Sequence, residues 1–430
     1  MSSWSRIPLI LRILAVLLAL TVIAVAAYQT PFVEDHLGWR ISALRARIKY
    51  AFSPPELTAF TPNPTIAAMV QETLSFYTPS PTLSQPSTPT PGITATPTPT
   101  PTPLPESVQL EGFQHEYQRW NNCGPANLAM ALSYWGWSGT QSNTEIYLKP
   151  NDRDKNVMPS EMAAYVNDQT ELNAILRVGG DLDLLRSMLA AGFPVLIEKG
   201  FEGPGFDGWM GHYGVVSGYD DALQLFTIQD SYYGPNRQMS YSDLELYWRH
   251  FNFAFLVIYP DNLQSDVLTL LGPRADEQTA FEMAAEQASL DIYQTTGREQ
   301  YFAWFNRGAS LAALQDYGGA AAAFDEAFLI DASLAAAQDT SRAWRMLWYD
   351  TGPYRAYYYT GRYYEVINLA TLTLNAMSEP VLEESYYWRA MSKLALGDTA
   401  GAIVDLRAAL RYHEGWQPAI YQLEQLGAAP

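Results

Sequence analysis

Residues 78–105, TPSPTLSQPSTPTPGITATPTPTPTPLP, are almost pure Pro, Thr and Ser. Such a run cannot bury a core, because its side chains are small or polar and its prolines lack the backbone donor that helices and sheets need. It favours extended polyproline II, and at ~3.1 Å per residue it reaches on the order of 85 Å. The tract divides the 430-residue chain into a short N-terminal part and a globular remainder long enough for two folded domains.

The N-terminal part reads as a membrane attachment. ILAVLLALTVIAVAA, from Ile13 to Ala27, carries no charge, and IPLIL before Arg12 lengthens the apolar run. About twenty apolar residues suffice to cross a bilayer, so a transmembrane anchor is expected over 7–28. The rival is a cleaved signal peptide with Ala24-Val25-Ala26 at the cleavage site. Leu37, Ile41, Leu44 and Ile48 then recur at helical spacing, with Arg40, Arg45, Arg47 and Lys49 on other sides. That pattern predicts a basic amphipathic helix over 32–52, suited to anionic headgroups. A linker is expected over 53–106. Lys and Arg are more numerous after the span than before it, which the positive-inside rule reads as a cytoplasmic C-terminus. The anchor followed by a Pro/Thr stalk points the other way, to folded domains outside the cytoplasm.

Globular sequence resumes near Ser107. Over 107–262, PANLAMALSYWG, PSEMAAYVND and DLDLLRSMLAAG read as helices, with Ser160 a candidate N-cap and Gly192 a C-cap. PVLIE, HYGVVSGY, LQLFTIQ and FAFLVIY read as strands, giving an α+β domain. Residues 272–430 are Ala-rich and helical. Trp304, Gly308, Leu311, Tyr317, Ala320, Phe324 and Ala327 set a pattern that Gly361 and Tyr363 repeat in part, and that Ala390, Gly397, Ala402, Leu406 and Ala409 repeat again. It resembles the tetratricopeptide repeat, a helix-turn-helix unit of about 34 residues, with a longer than usual interval between the first and second units. The alternative is a plain helical bundle.

Chemistry concentrates on one residue. Cys123 is the only cysteine, so no internal disulfide exists. Pro125 suits the first turn of a helix, placing the thiol at a helix N-terminus, where the dipole and free N–H groups favour a thiolate. Of the five histidines, His36 lies in the juxtamembrane helix, His413 in the repeats, His250 at a surface or packing position, and His115 has no evident partner. His212 opens a predicted hairpin: strand 212–219, turn Asp220-Asp221-Ala222, strand 223–229. A turn centred on 221 sets residue 230, an Asp, across from 212, within reach of the imidazole. A one-residue slip would move Asp230 to the other face. Gln118, five residues before the cysteine, could join the Cys123 N–H in stabilising an oxyanion. Asn121 and Asn122 are second candidates, also readable as turn formers.

The block from about 113 to 260 resembles the papain-like cysteine peptidases related to bacteriocin-processing enzymes that cleave after double-glycine leaders, the thirty-ninth cysteine-peptidase family. The resemblance rests on Gln118, Cys123-Gly124, His212-Tyr213 and Asp230, with PSEMAAYV, LLRSMLAAGFPVLIE and VVSGYDD in family positions. It implies a papain-like α+β fold, Cys123 as nucleophile, His212 as base and then acid, Asp230 as its orienter and Gln118 as oxyanion donor, with no cofactor. Unlike the processing transporters, the chain shows no transporter domain and no nucleotide-binding motif.

The reading is therefore a membrane-anchored, extracytoplasmic cysteine peptidase acting on a peptide or protein, with repeats that recruit a partner along a helical surface. A cell-wall amidase of the NlpC type shares the thiol chemistry but commonly orients its His with a second His. A non-catalytic surface module working through the repeats is the alternative from another class. Metal is not expected, since no Cys/His cluster has zinc spacing. Nor is nucleic acid, given the formal net charge of −19.

Overall fold

The structure, a computed structural model, describes residues 39–69 and 103–430 apart from 152, 155 and 203–207, together with residues 10, 15, 16 and 18–20. The chain divides into two compact units, Met1–Pro55 and Glu56–Pro430. No helix among the described residues is long and apolar enough to cross a membrane. The span expected over 7–28 falls almost entirely outside them, as does His36. Of the helix expected over 32–52, residues 32–38 lie outside the described residues and the rest forms α1 (Trp39–Phe52). The expected linker is ordered at its start, where Pro55–Leu57 makes a 3-10 turn and residues 64–69 are helical.

The mixed part of the second unit is built on a seven-stranded antiparallel sheet. Its strands are β1 (Ser107–Gln109), β2 (Leu172–Arg177), β3 (Val195–Phe201), β4 (Met210–Asp220), β5 (Leu225–Asp230), β6 (Gly234–Ser240) and β7 (Phe255–Pro260). The order is β2-β7-β3-β4-β5-β6, with β1 pairing the far end of β4. α2 (Cys123–Tyr134), α3 (Gln141–Leu148) and α4 (Pro159–Gln169) lie between β1 and β2. α5 (Leu182–Ala190) leads into β3, and α6 (Tyr241–Arg249) lies between β6 and β7. Alternation of side chains along β3 and β4 makes two cores. Leu196, Tyr213 and Val215 face Leu128 and Leu132 of α2, whereas Val195, Ile197 and Val216 face Leu185 and Leu189 of α5.

The expected stop of α5 is met, with Gly192 following its last turn at φ 89°. Its start is capped by Asp181, which accepts from Leu184 N (2.7 Å). Other expectations are corrected. Ser160 is not an N-cap: α4 starts one residue earlier with Pro159 in its first position and Met158 as the cap, because a proline at that position needs no hydrogen bond. Glu161 instead accepts from Met158 N at 2.7 Å. The β4–β5 turn occupies residues 221–224 rather than centring on 221, so the ladder near the turn pairs Asp220 with Leu225 and Tyr219 with Phe226. A bulge between Val216 and Gly218 then shifts the register, and Val215 pairs with Gln229. One residue further, Asp230 stands beside Gly214, two residues from the expected position opposite His212. Because the shift is even, the face is kept.

After β7 the chain is helical: α7 (Gln264–Leu271), α8 (Glu277–Gln294), α9 (Gly297–Ala313), α10 (Tyr317–Ala336), α11 (Gly352–Tyr359), α12 (Tyr363–Ala376), α13 (Glu383–Ala395), α14 (Thr399–Tyr412) and α15 (Gln417–Gln425). The three expected helix-turn-helix units are the pairs α9–α10, α11–α12 and α13–α14. Residues 337–351, holding only the short turn Met346–Trp348, account for the longer interval after the first pair. Small residues set the close approaches: a Cβ at Gly308 would lie 2.7 Å from the Phe324 ring.

The helices pack directly on the mixed part. Trp209 is fully buried, stacks on Phe251 (5.5 Å) and contacts Phe302 of α9 (5.3 Å) and Tyr349 (5.8 Å). Its Nε1–H donates to Nδ1 of His250 (3.0 Å), whose Nε2–H donates to Glu299 (3.1 Å). His250 is thus wholly buried and belongs to this junction, not to the surface. Trp209→Ala is expected to cost about 3–5 kcal/mol, the range for emptying a buried aromatic site, read as a lower urea midpoint. Leu223→Ser, at a position 62% exposed, is expected to stay within about 0.5 kcal/mol of the parent.

Candidate active site

Cys123 is the first residue of α2, half-buried, with Asn122 as N-cap. The turn before it is held by Asn121, in the left-handed region (φ 53°), with Nδ2 donating to Asp154 O (3.2 Å). Asn122 is fully buried and donates to Gln141 Oε1 (2.8 Å). Both asparagines therefore act as turn formers. Gly124 is closely packed: a Cβ there would stand 3.1 Å from Cβ of Val157 and 3.6 Å from the Tyr213 ring.

His212 sits near the start of β4, buried under Phe201 (ring centroids 4.8 Å apart). Its Nε2 lies 3.0 Å from Asp230 Oδ1, reached diagonally across the ladder. That leaves Nδ1 for the Cys123 thiol, with which the ring interacts. Asp230 Oδ1 also accepts the backbone N–H groups of Tyr232 (2.8 Å) and Tyr233 (2.9 Å). Lys199, paired with His212 across β3–β4 and 2% exposed, places Nζ 3.9 Å from Asp230 Oδ2.

These contacts decide the charges. Burial opposes ionisation of Asp230, but His212, Lys199 and the Tyr233 N–H outweigh it and hold the carboxyl well below the ordinary carboxylate range. Burial lowers His212, and the charge and hydrogen bond of Asp230, with the thiol, reverse this and raise it. Burial raises Cys123, and His212 together with the backbone N–H groups of Tyr213 and Gly124 brings it below its usual value. Glu198, across from Tyr213 and also buried, is pushed well above the carboxylate range by burial. That shift disfavours a like charge beside a thiolate.

Gln118 joins the site through a chain of side chains that the sequence did not signal. Its Oε1 accepts from Ser231 Oγ (2.8 Å), Ser231 Oγ accepts from Asn127 Nδ2 (2.8 Å), and Asn127 also donates to Cys123 O (2.9 Å). With Oε1 held, the donor end of the amide is the one turned away from Ser231. Asn127 lies four residues after Cys123 on one helix face and Ser231 follows Asp230, but nothing local to either segment shows that they meet. His115 stays outside this set, its ring edge-on to Tyr117 (4.8 Å) and neither ring nitrogen hydrogen-bonded. His413 binds Glu383 (2.7 Å) in the helical region. Among the described residues no cluster of His, Cys, Asp and Glu could hold a metal.

A lowered thiol and a raised imidazole both shift the balance toward the thiolate–imidazolium pair. Alkylation of Cys123 by iodoacetamide is accordingly expected to titrate below the ordinary thiol range. In His212→Ala it is expected to move up by about one unit or more, the size of effect of one adjacent opposite charge. An unchanged profile would mean that the ring does not activate the thiol.

Residues 107–255 match the Peptidase_C39 like family. No curated protein matches the chain. Among solved structures, a C39-like peptidase from Bacillus anthracis is 16% identical, covering 35% of this chain and 96% of its own at a TM-score of 0.30. A double glycine motif protease from an AMS/PCAT transporter, in complex with the leader peptide, is 17% identical over 36% of this chain and 94% of its own, TM-score 0.28. Xylellain, a cysteine protease from Xylella fastidiosa, is 17% identical over 37% and 87%, TM-score 0.28. The family match ends at residue 255, before the helical region, so the likeness lies in the mixed part of the second unit.

Proposed function

We propose that the chain hydrolyses peptide bonds through a Cys123–His212–Asp230 triad, with Gln118 as oxyanion donor. The observation that carries this is the position of His212, one ring nitrogen 3.0 Å from a buried carboxylate and the other left to a thiol at a helix N-terminus. The thiolate attacks the scissile carbonyl carbon. A C–S bond forms and the carbonyl electron pair moves to oxygen, where the Cys123 N–H and the Gln118 amide receive it. Collapse breaks the C–N bond, and the proton on His212 goes to the leaving amine. Water then attacks the thioester with His212 as base, releasing the acid and restoring the thiolate. Asp230 stays ionised throughout and keeps the ring oriented.

The Asp at the orienting position favours a peptidase over the amidase reading. Attachment to a membrane, with the folded domains extracytoplasmic, completes the proposal. The exposure of Leu44 (57%) and Ile48 (53%) on α1 supports a helix lying on a lipid surface. The helix pairs after residue 272, read as tetratricopeptide repeats, would hold a protein or peptide.

The test is hydrolysis of a peptide library by the full chain, read by mass spectrometry. Cys123→Ala is expected to abolish cleavage, and His212→Ala to lower kcat/KM by on the order of 10²–10⁴. Gln118→Ala is expected to lower kcat by about 10²–10³ with little change in KM. The pH profile should be a bell, its acid limb set by the thiol and its alkaline limb by loss of the imidazolium proton. Asp230→Asn removes the charge that raises His212, so the alkaline limb is expected to move to lower pH. Cleavage that survives Cys123→Ala would overturn the proposal.

A further inference from the structure

Residues 58–63, TAFTPN, precede the Pro/Thr tract and have no regular secondary structure, yet they are fixed to the helical region at three points. At one end, Arg342 forms a buried bidentate pair with Asp331 of α10 (2.6 and 2.8 Å), and its Nη2 also donates to Thr58 O (2.9 Å). At the other end, Arg362 is held by both oxygens of Asp325 (2.8 Å each) and by Glu365 (2.7 Å to Oε1). Two carboxylates share one guanidinium there, so acceptor capacity is left over. Glu365 Oε1 uses it to accept Asn63 N–H at 2.9 Å. Between the two ends, Phe60 is 4% exposed, edge-on to Phe328 of α10 (5.1 Å) and tilted against Tyr357 of α11 (6.0 Å). Pro62 is also buried, whereas Thr61 and Asn63 are exposed.

This is how a peptide is read by a receptor. Alternate side chains enter the surface, and main-chain groups at both ends are met by side chains already fixed in ion pairs. The bonds of Arg342 to Thr58 O and of Glu365 to Asn63 N–H go to main-chain groups, so they do not themselves select a sequence. Selectivity falls to the aromatic pocket and to the proline two residues on.

We propose that the helical hairpins form a binding site for an extended Phe-x-Pro peptide, and that the chain fills this site with its own residues 58–63. The tract at 78–105 then connects Asn63 to Ser107, two points on the same compact unit, and is not the spacer between that unit and the N-terminal segment. Any reach toward a membrane is set by residues before Thr58. Held in cis, the segment acts at an effective concentration on the order of millimolar, so a partner of the same chemistry must bind better than that to replace it.

The test places a recognition site for a sequence-specific protease within residues 78–105 of the full chain, cleaves it, and follows both pieces by gel filtration. They are expected to co-elute. A synthetic peptide of residues 56–66 in excess is expected to release the N-terminal piece, and the same peptide with Phe60→Ala to do so on the order of 30-fold less well, the equivalent of one buried phenylalanine. Phe60→Asp in the chain is expected to let the pieces part on cleavage. The peptide competition needs no variant of the protein and so stands even if that variant folds poorly. Separation of the unmodified pieces at once, or co-elution that resists both the excess peptide and Phe60→Asp, would overturn the proposal.

Discussion

One oxygen of Asp230 gathers the site. It accepts from His212 on β4 and from two backbone N–H groups of the turn after β5, while Lys199 on β3 faces the other oxygen. A carboxylate removed from water is costly unless its lone pairs are met, and here each contact that meets them also fixes a different element. The imidazole is held by the same bond that raises it, and the thiol is lowered by the imidazole. Orientation and charge therefore have a single origin, and the helix N-terminus of α2 adds to it instead of supplying it alone.

The residue placing that oxygen correctly is one that touches none of the chemistry. Near the turn, paired residue numbers of β4 and β5 sum to 445, as in Asp220 with Leu225. An odd sum carried on would put Asp230 beside Val215, on the face toward α2 and away from His212. The bulge at Ser217 changes the sum to 444, as in Val215 with Gln229, and restores the face. The bulge is thus the device by which a four-residue turn and a His–Asp pair coexist in one hairpin.

What could be read from the sequence follows from this. The start of α2 at Cys123 was legible because proline and the apolar run are local signals, and the shared face of His212 and Asp230 because strand parity survives an even error in register. Turn length and bulge were not legible, since both are settled by pairing with β3, β6 and β1 outside the hairpin. β6, GPNRQMS, escaped because a polar edge strand shows no apolar alternation. The Asn127–Ser231–Gln118 chain escaped because it joins segments over a hundred residues apart, and Gln118 was singled out by its place before the cysteine and by resemblance. In the helical region the small-residue pattern marked the helix pairs, but not the buried Arg–carboxylate groups that hold residues 58–63, whose own polar, Pro-containing sequence reads as linker.

The helical region also bears on the strand that carries His212. Trp209 and Gly211 stand just before His212, and both are packed from the helical side: Arg345 donates to Trp209 O (2.8 Å), and Tyr349 lies against Gly211 so closely that a Cβ there would fall 2.8 Å from its ring. The ladder with β3 reaches the first residue of β4, and the wall formed by Trp209, Phe251, Phe302 and Tyr349 packs beside that start. An imidazole serving both a thiol and a carboxylate must hold its place to a fraction of an ångström. The helices are then part of what positions the His212 imidazole, and they and the mixed part cannot be treated as two modules joined by a string.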